Sequence, residues 1–222
     1  MRAAAGGGRA ERPRIGGFYF LADDDPRWRR DPVSQAEAAL AGGARVVQLR
    51  AQHASDQRAL AWAEAIRERC RARGALFFVN DRFDLALAAG ADGVHLGQQD
   101  LAPAHVPAEA RAKLLIGRST HSLEEARAAR SEPVDYVAFG PVFGTTSKES
   151  PHPARGLAAL AEVARLVAPL PLAAIGGIDA ARAVEALRAG AAAVCAISAV
   201  AGADDMGRAA RELVRAIEGA RA

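Results

Sequence analysis

The chain has 222 residues, half of them apolar, which is enough to bury a substantial core as one large domain or two small ones. Its net charge is +3, but no basic block with interleaved aromatic residues is present, which argues against nucleic-acid binding. Residues 1–14 lack the apolar stretch of a signal peptide or membrane span, and we interpret them as a disordered leader. The two cysteines, Cys70 and Cys195, are not spaced as a metal-binding or redox-active pair. We predict that both are ordinary buried thiols of a protein in a reducing cytoplasm.

Short apolar runs alternate along the chain with amphipathic segments of helical period. The predicted strands are 15–21, 44–50, 75–79, 93–96, 113–116, 134–139, 172–175 and 192–197. The helical segments that the pattern locates between and after them are 33–41, 56–73, 83–89, 123–130, 156–167, 179–189 and 204–218. Ser122 is the predicted N-cap of the segment 123–130, which has acids in its first turn.

The predicted strands are apolar throughout, which is typical of a parallel sheet covered on both faces. No change of composition marks a linker, so eight β/α units over residues 15–222 predict a single (β/α)8 TIM barrel. A doubly wound open sheet is the alternative. Active sites of such barrels lie at the carboxyl ends of the strands, and the polar clusters of this chain come directly after predicted strands.

The loop after the sixth predicted strand has the composition of a phosphate-binding loop. Glycines let backbone N–H groups approach an anion, hydroxyls donate to its oxygens, and an ammonium adds compact charge. Lysine occurs only twice in the chain, at Lys113 and Lys148, so its presence here is not background composition. A solvated loop of small residues is the alternative. The residues concerned are Gly140, Gly144, Thr145, Thr146, Ser147 and Lys148.

Two carboxylates follow neighbouring strands. Asp81 comes after the third predicted strand and Asp100 after the fourth, so a barrel would bring them to one rim. Such a pair suits Mg²⁺, which keeps water ligands and accepts oxygens from a substrate phosphate. Asn80 is placed to hydrogen-bond a heterocycle. The alternative makes Asp81 a helix N-cap and Asp100 a turn residue.

Other polar residues occupy equivalent positions on the remaining strands. Gln48 and Arg50 alternate along the second strand and are expected to face the barrel mouth, although a structural ion pair of Arg50 is an equal alternative. Gly176-Gly177 and Ile197-Ser198 follow the last two strands, where barrels commonly bind phosphate.

Two histidines have different predicted roles. His95 lies in a strand and is expected to be buried and hydrogen-bonded. His121 follows the fifth strand and is placed to shuttle a proton, the alternative being a residue that merely precedes the Ser122 cap.

Several motifs recur in order over most of the predicted barrel. They are Gln48-Leu49-Arg50, Asn80-Asp81-Arg82, the segment 92–100, Gly117-Arg118-Ser119-Thr120-His121, the segment 140–148 and Ile175-Gly176-Gly177-Ile178. As a set these motifs resemble the thiamine-phosphate synthase family. The resemblance implies a Mg²⁺-dependent barrel enzyme that joins an aminopyrimidine methyl diphosphate to a thiazole phosphate. Diphosphate leaves first, and the thiazole nitrogen captures the resulting cation.

The resemblance also implies roles for individual residues. Residues expected to hold the pyrimidine diphosphate are Gln48, Arg50, Asn80, Ser119 and Lys148. Residues expected to hold the thiazole phosphate are Thr145, Thr146, Ser147, Gly177, Ile197 and Ser198. The expected metal ligands are Asp81 and Asp100. The residues expected to act in catalysis are Lys148, Arg50 and Ser119.

Two positions depart from the family pattern. Gln52 stands where the family usually has a lysine, so one diphosphate-binding charge is missing, and Ser147 replaces the commoner threonine but keeps its hydroxyl. The motif around His121 also resembles thiazole tautomerase, a metal-free isomerase, which gives an alternative function with His121 as the catalyst. A non-catalytic phosphate-binding barrel is the third interpretation. The expected partners are small-molecule substrates rather than nucleic acid or membrane, and a homo-oligomer is compatible with the sequence.

Overall fold

The fold is a closed barrel in a computed structural model that describes residues 13, 15–144 and 152–221. Eight parallel strands in the described part of the chain pair in sequence order, and β1 pairs with β8 to close the sheet. The strands are β1 (Gly17–Asp23), β2 (Val46–Arg50), β3 (Leu76–Asn80), β4 (Gly93–Leu96), β5 (Leu115–Thr120), β6 (Tyr136–Phe139), β7 (Leu172–Ile175) and β8 (Ala193–Ala196). The predicted (β/α)8 barrel is confirmed, and the open sheet is excluded.

Nine helices within the described residues surround or follow these strands. They are α1 (Pro32–Ala41), α2 (Asp56–Ala72), α3 (Phe83–Ala89), α4 (Ala108–Lys113), α5 (Leu123–Arg130), α6 (Gly156–Val167), α7 (Ala180–Arg188), α8 (Ser198–Ala201) and α9 (Met206–Gly219). The predicted cap of α5 is confirmed, since the Ser122 side chain accepts a hydrogen bond from the N–H of Glu125. None of the described helices combines the length and hydrophobicity needed to cross a membrane.

Most predicted element ends differ from the structure by one or two residues, and the differences at β1 and β5 are informative. Residues 22 and 23 belong to β1 rather than to a loop, and Lys113 ends α4 rather than beginning a strand. Strand β5 extends to Thr120 because residues 117–120 pair with β6. Its polar side chains are accommodated there, since Arg118 donates to the Gly97 carbonyl and Thr120 to the Ala138 carbonyl. Helix α4 has only six residues and buries only Ala110, so it carries no apolar period that a sequence pattern can reveal.

The interior of the barrel holds large aromatic rings opposite glycines. The rings of Phe78 and Tyr136 meet edge to face, with centroids 5.6 Å apart. A Cβ atom on Gly93 would overlap the Phe78 ring, and a Cβ atom on Gly117 would overlap the Tyr136 ring. The absence of side chains on β4 and β5 at these positions therefore makes room for both rings.

The two cysteines form no disulfide with each other, and both are buried, as predicted. Burial raises the pKa of the Cys70 thiol to about 12, so this group stays protonated near neutral pH.

We expect Gly117→Ala to lower the free energy of unfolding by roughly 1–3 kcal/mol, because the added methyl group overpacks the barrel against Tyr136. Chemical denaturation measures this difference. Gly219→Ala is the matched control, since a Cβ atom there would meet nothing within 4 Å beyond its own helix backbone and chain neighbours, and its stability should be equal or slightly higher. Equal midpoints for Gly117→Ala and the parent protein would contradict the packing argument.

Candidate active site at the barrel mouth

A cavity of about 500 Å³ opens at the carboxyl ends of the strands, and every strand contributes to its wall. Nine of the residues predicted to form the site line it: Gln48, Arg50, Asn80, Asp81, Asp100, Ser119, Gly177, Ile197 and Ser198. The other predicted residues, Thr145, Thr146, Ser147 and Lys148, lie outside the residues that the structure describes. Residues separated by as many as 150 positions in the chain therefore share one cavity, while the individual roles assigned to them stay predictions.

Arg50 is held in place by a buried carboxylate. Its Nη1 donates to Asp23 Oδ2 at 2.9 Å, and the Asp23 side chain is fully buried. The ion pair considered as an alternative for Arg50 is therefore present, and Arg50 lines the cavity as well. A buried carboxylate of this kind fixes the guanidinium and offsets part of its charge. Asp23 was missed in the sequence because it appeared to lie in a loop beyond the first strand.

Gln52 joins this ion pair to one of the candidate metal ligands. Arg50 Nη2 donates to Gln52 Oε1 at 2.9 Å, and Gln52 Nε2 donates to Asp81 Oδ2 at 3.1 Å. The amide can make both contacts because it is a donor at one end and an acceptor at the other, whereas a lysine ammonium only donates. The residue that departs from the family pattern thus bridges two predicted site residues.

Asp81 does not cap the helix that follows it. The N-cap of α3 is Arg82, which makes no capping hydrogen bond through its side chain, so this alternative for Asp81 is wrong. Asp81 has a left-handed backbone with φ of 65°, a conformation that aspartate tolerates better than most residues. Its backbone N–H donates to the His95 carbonyl at 2.8 Å, which fixes the residue between the ends of β3 and β4.

Asp100 closes the turn that follows β4. Its Oδ2 accepts a hydrogen bond of 2.6 Å from the N–H of Gly97, so the predicted turn role is present. A carboxylate has further lone pairs, and this bond does not exhaust its capacity to bind a cation. No group of three or more histidine, cysteine or acidic side chains in the described part of the chain forms a metal site. Two carboxylates beside an open cavity instead fit a hard cation that keeps water and substrate oxygens as ligands.

The loops after β6 and β7 are joined by backbone hydrogen bonds. The N–H of Val142 donates to the carbonyl of Ile175 at 2.8 Å, and the N–H of Phe143 donates to that of Gly176 at 3.1 Å. Gly177 has φ of 65°, and a Cβ atom there would overlap the Gly144 carbonyl. Glycine is therefore needed for the two loops to meet at the cavity.

His121 lies on the cavity wall with its ring orientation fixed. Its Nδ1 is 3.0 Å from Glu125 Oε2, and its ring stacks on that of His152 with centroids 4.1 Å apart. Burial lowers the pKa of His121, although the Glu125 carboxylate opposes this effect. The ring is therefore biased toward its neutral form near neutral pH.

His95 is buried and hydrogen-bonded, as the sequence predicted. Its Nδ1 is 2.8 Å from the Tyr136 hydroxyl, and its Nε2 is 2.8 Å from Ser119 Oγ. The tyrosine was not singled out in the sequence, because a tyrosine within an apolar strand is not distinguished from a packing residue.

Comparison with known proteins identifies relatives over nearly the whole chain. A family model described as thiamine monophosphate synthase matches residues 18–200. The thiamine-phosphate synthase of Anaeromyxobacter dehalogenans is 47% identical over 211 residues, which cover 95% of this chain and 92% of that protein. The thiamine-phosphate synthase of Methanoculleus marisnigri is 46% identical over 205 residues, with coverage of 92% and 97%.

Solved structures also resemble this chain. The thiamine phosphate pyrophosphorylase from Pyrococcus furiosus has a TM-score of 0.83 at 36% identity and covers 93% of this chain and 97% of its own. A 3-hexulose-6-phosphate synthase, 17% identical with a TM-score of 0.64 and coverage of 90% and 99%, shares the barrel fold alone. The family model and the closely similar relatives together show that this chain belongs to the thiamine monophosphate synthase family.

Proposed function

We propose that this chain condenses 4-amino-2-methyl-5-(diphosphomethyl)pyrimidine with a thiazole phosphate, giving thiamine phosphate and diphosphate. The observation that carries the proposal is the convergence of nine predicted site residues on one cavity in a member of this family. The cavity, at about 500 Å³, is within the range of small-molecule sites, and its wall combines apolar surface with many polar side chains.

The proposed metal is Mg²⁺, held by Asp81 and Asp100. Both residues line the cavity and offer only oxygen ligands, which is the donor set that Mg²⁺ prefers. When bound there, the ion would supply positive charge to the diphosphate oxygens.

The chain's own residues are assigned complementary tasks. Arg50, fixed by Asp23, would donate to the diphosphate, and Lys148 would add a second positive charge. Gln48 and Asn80 would orient the pyrimidine, and Ser119 would donate to a diphosphate oxygen. The proposed thiazole phosphate site comprises Thr145, Thr146, Ser147, Gly177, Ile197 and Ser198.

The reaction needs charge stabilisation more than proton transfer. The bond between the pyrimidinylmethyl carbon and the diphosphate oxygen breaks first, and the oxygen keeps the electron pair. The thiazole nitrogen then donates its lone pair to the resulting cation, so no general base is required for bond formation. Fixed positive groups around the departing oxygens therefore supply the main catalytic effect, with positioning of the two substrates second.

Thiazole isomerisation by His121 is the competing activity. The ring is fixed at the cavity by Glu125, as a proton shuttle requires. The relatives described above, however, carry the synthase name, which favours condensation. A cytoplasmic location and a homo-oligomeric state stay predictions.

We expect purified protein supplied with both substrates and Mg²⁺ to release diphosphate. EDTA should abolish the release, because it removes the cation that would neutralise negative charge on the leaving group. Enzyme-coupled detection of diphosphate measures the rate, and restoring Mg²⁺ after EDTA is the control. Isomerisation of the thiazole without diphosphate release would establish the alternative, and ligand binding without turnover would favour a non-catalytic barrel.

We expect Gln52→Lys to lower the KM for the pyrimidine diphosphate by roughly three- to tenfold, since it adds a positive charge beside Arg50 and Asp81. The KM for the thiazole phosphate should change little. Gln57→Lys is the matched control, because it adds the same charge at an exposed position of α2 outside the cavity wall. An equal change for both substrates, or an equal change in the control, would contradict a local electrostatic effect.

A further inference from the structure

Five polar side chains form a continuous hydrogen-bonded chain across the floor of the cavity. Gln48 Nε2 is 2.7 Å from the Tyr19 hydroxyl, which is 2.9 Å from the Tyr136 hydroxyl. The Tyr136 hydroxyl is 2.8 Å from His95 Nδ1, and His95 Nε2 is 2.8 Å from Ser119 Oγ. These residues come from β2, β1, β6, β4 and β5, so the chain exists only in the closed barrel.

The donors and acceptors of this hydrogen-bonded chain follow one direction, because each hydroxyl has a single proton to donate. In the amide orientation that places Gln48 Nε2 against the Tyr19 hydroxyl, the amide donates to Tyr19, and the Tyr19 proton is then left to be donated to Tyr136. The Tyr136 proton then goes to Nδ1 of His95. A neutral imidazole that accepts at Nδ1 carries its proton on Nε2, and this proton is donated to Ser119 Oγ.

The environment of the two tyrosines keeps both hydroxyl groups protonated. Both side chains are almost completely buried, and burial raises the pKa of Tyr19 and of Tyr136 well above the usual range of a phenol. Both phenols therefore keep their protons under all ordinary conditions. The Tyr136 ring is also fixed, since it stacks near His95 with centroids 5.6 Å apart and occupies the space left by Gly117.

We infer that Tyr19, Tyr136 and His95 are positioning residues that present the Ser119 hydroxyl as a hydrogen-bond donor to an oxyanion in the cavity. Because Ser119 Oγ accepts from His95, its own proton is available to a ligand. With the opposite direction, Ser119 would donate to His95 and turn lone pairs toward the anion, which is repulsive. The inference rests on the proposed function for the identity of that oxyanion, the departing diphosphate.

A polar chain that only stabilises the core is the alternative. Loss of such a network would change stability without a specific effect on kcat through Ser119. The effect on kcat through Ser119 therefore separates the two interpretations.

The direction is tested by ¹⁵N NMR of protein labelled at its five histidines. The neutral His95 ring of the parent protein should carry its proton on Nε2, with Nδ1 unprotonated. Tyr136→Phe removes only the phenolic oxygen and should abolish this preference. Thr120→Val is the matched control, since it removes a buried hydroxyl that donates to the Ala138 carbonyl outside the chain, and it should leave the His95 tautomer unchanged.

A double-mutant cycle tests the action through Ser119. Tyr136→Phe alone should lower kcat by roughly tenfold, the scale expected when a hydrogen bond to a charged group is weakened. In a Ser119→Ala background the same substitution should have almost no further effect on kcat. Circular dichroism and thermal unfolding confirm that the variants compared are folded.

The outcomes are distinct. A proton on Nδ1 of the parent His95, an unchanged tautomer in Tyr136→Phe, or multiplicative effects on kcat would each overturn the inference. Absence of diphosphate release by the parent protein would instead overturn the proposed function, while the NMR measurement needs no turnover and still decides the direction of the chain.

Discussion

The pairing of β1 with β8 is the constraint on which the rest of the structure depends. Parallel strands joined in a closed ring must all end at the same rim, so whatever follows each strand is brought to one mouth. Ser198, which follows β8, is thereby placed on the same cavity wall as Arg50 of β2. An open sheet would leave the first and last strands apart, and the contact of Gly17 with Ala193 across the closure would not exist.

Closure also explains the interior of the barrel. Side chains from five strands meet in a space too narrow for a side chain at every position, and Gly117 provides the room that the Tyr136 ring occupies. The same ring carries a hydroxyl between Tyr19 and His95, so packing and hydrogen bonding at the cavity floor depend on one another. The hydroxyls of Tyr19 and Tyr136 and both ring nitrogens of His95 are each hydrogen-bonded, which lowers the cost of burying them.

The sequence predicted the barrel and the convergence of its polar clusters because both follow from local patterns. Apolar runs mark strands, and the residue after a strand end lies at the rim whatever its partners are. Contacts across the barrel could not be predicted in this way. The roles of Asp23 and Tyr136, and the bridge made by Gln52, depend on which strands are neighbours and on how side chains of different length meet. A local sequence pattern predicts neither. The length of β5 was underestimated because its second half is polar. The carbonyl partner that Arg118 finds on a neighbouring loop cannot be predicted from the local sequence.

The most direct test of the account is calorimetric titration of inorganic diphosphate in the presence and absence of Mg²⁺. The parent protein should bind diphosphate at least roughly tenfold more tightly with Mg²⁺, and Asp81→Asn should lose most of this enhancement because a ligand charge is removed. Binding of the thiazole phosphate to Asp81→Asn should be nearly unchanged. An Mg²⁺ enhancement of equal size in Asp81→Asn would contradict the claim that the rim carboxylates hold the metal that assists the leaving group.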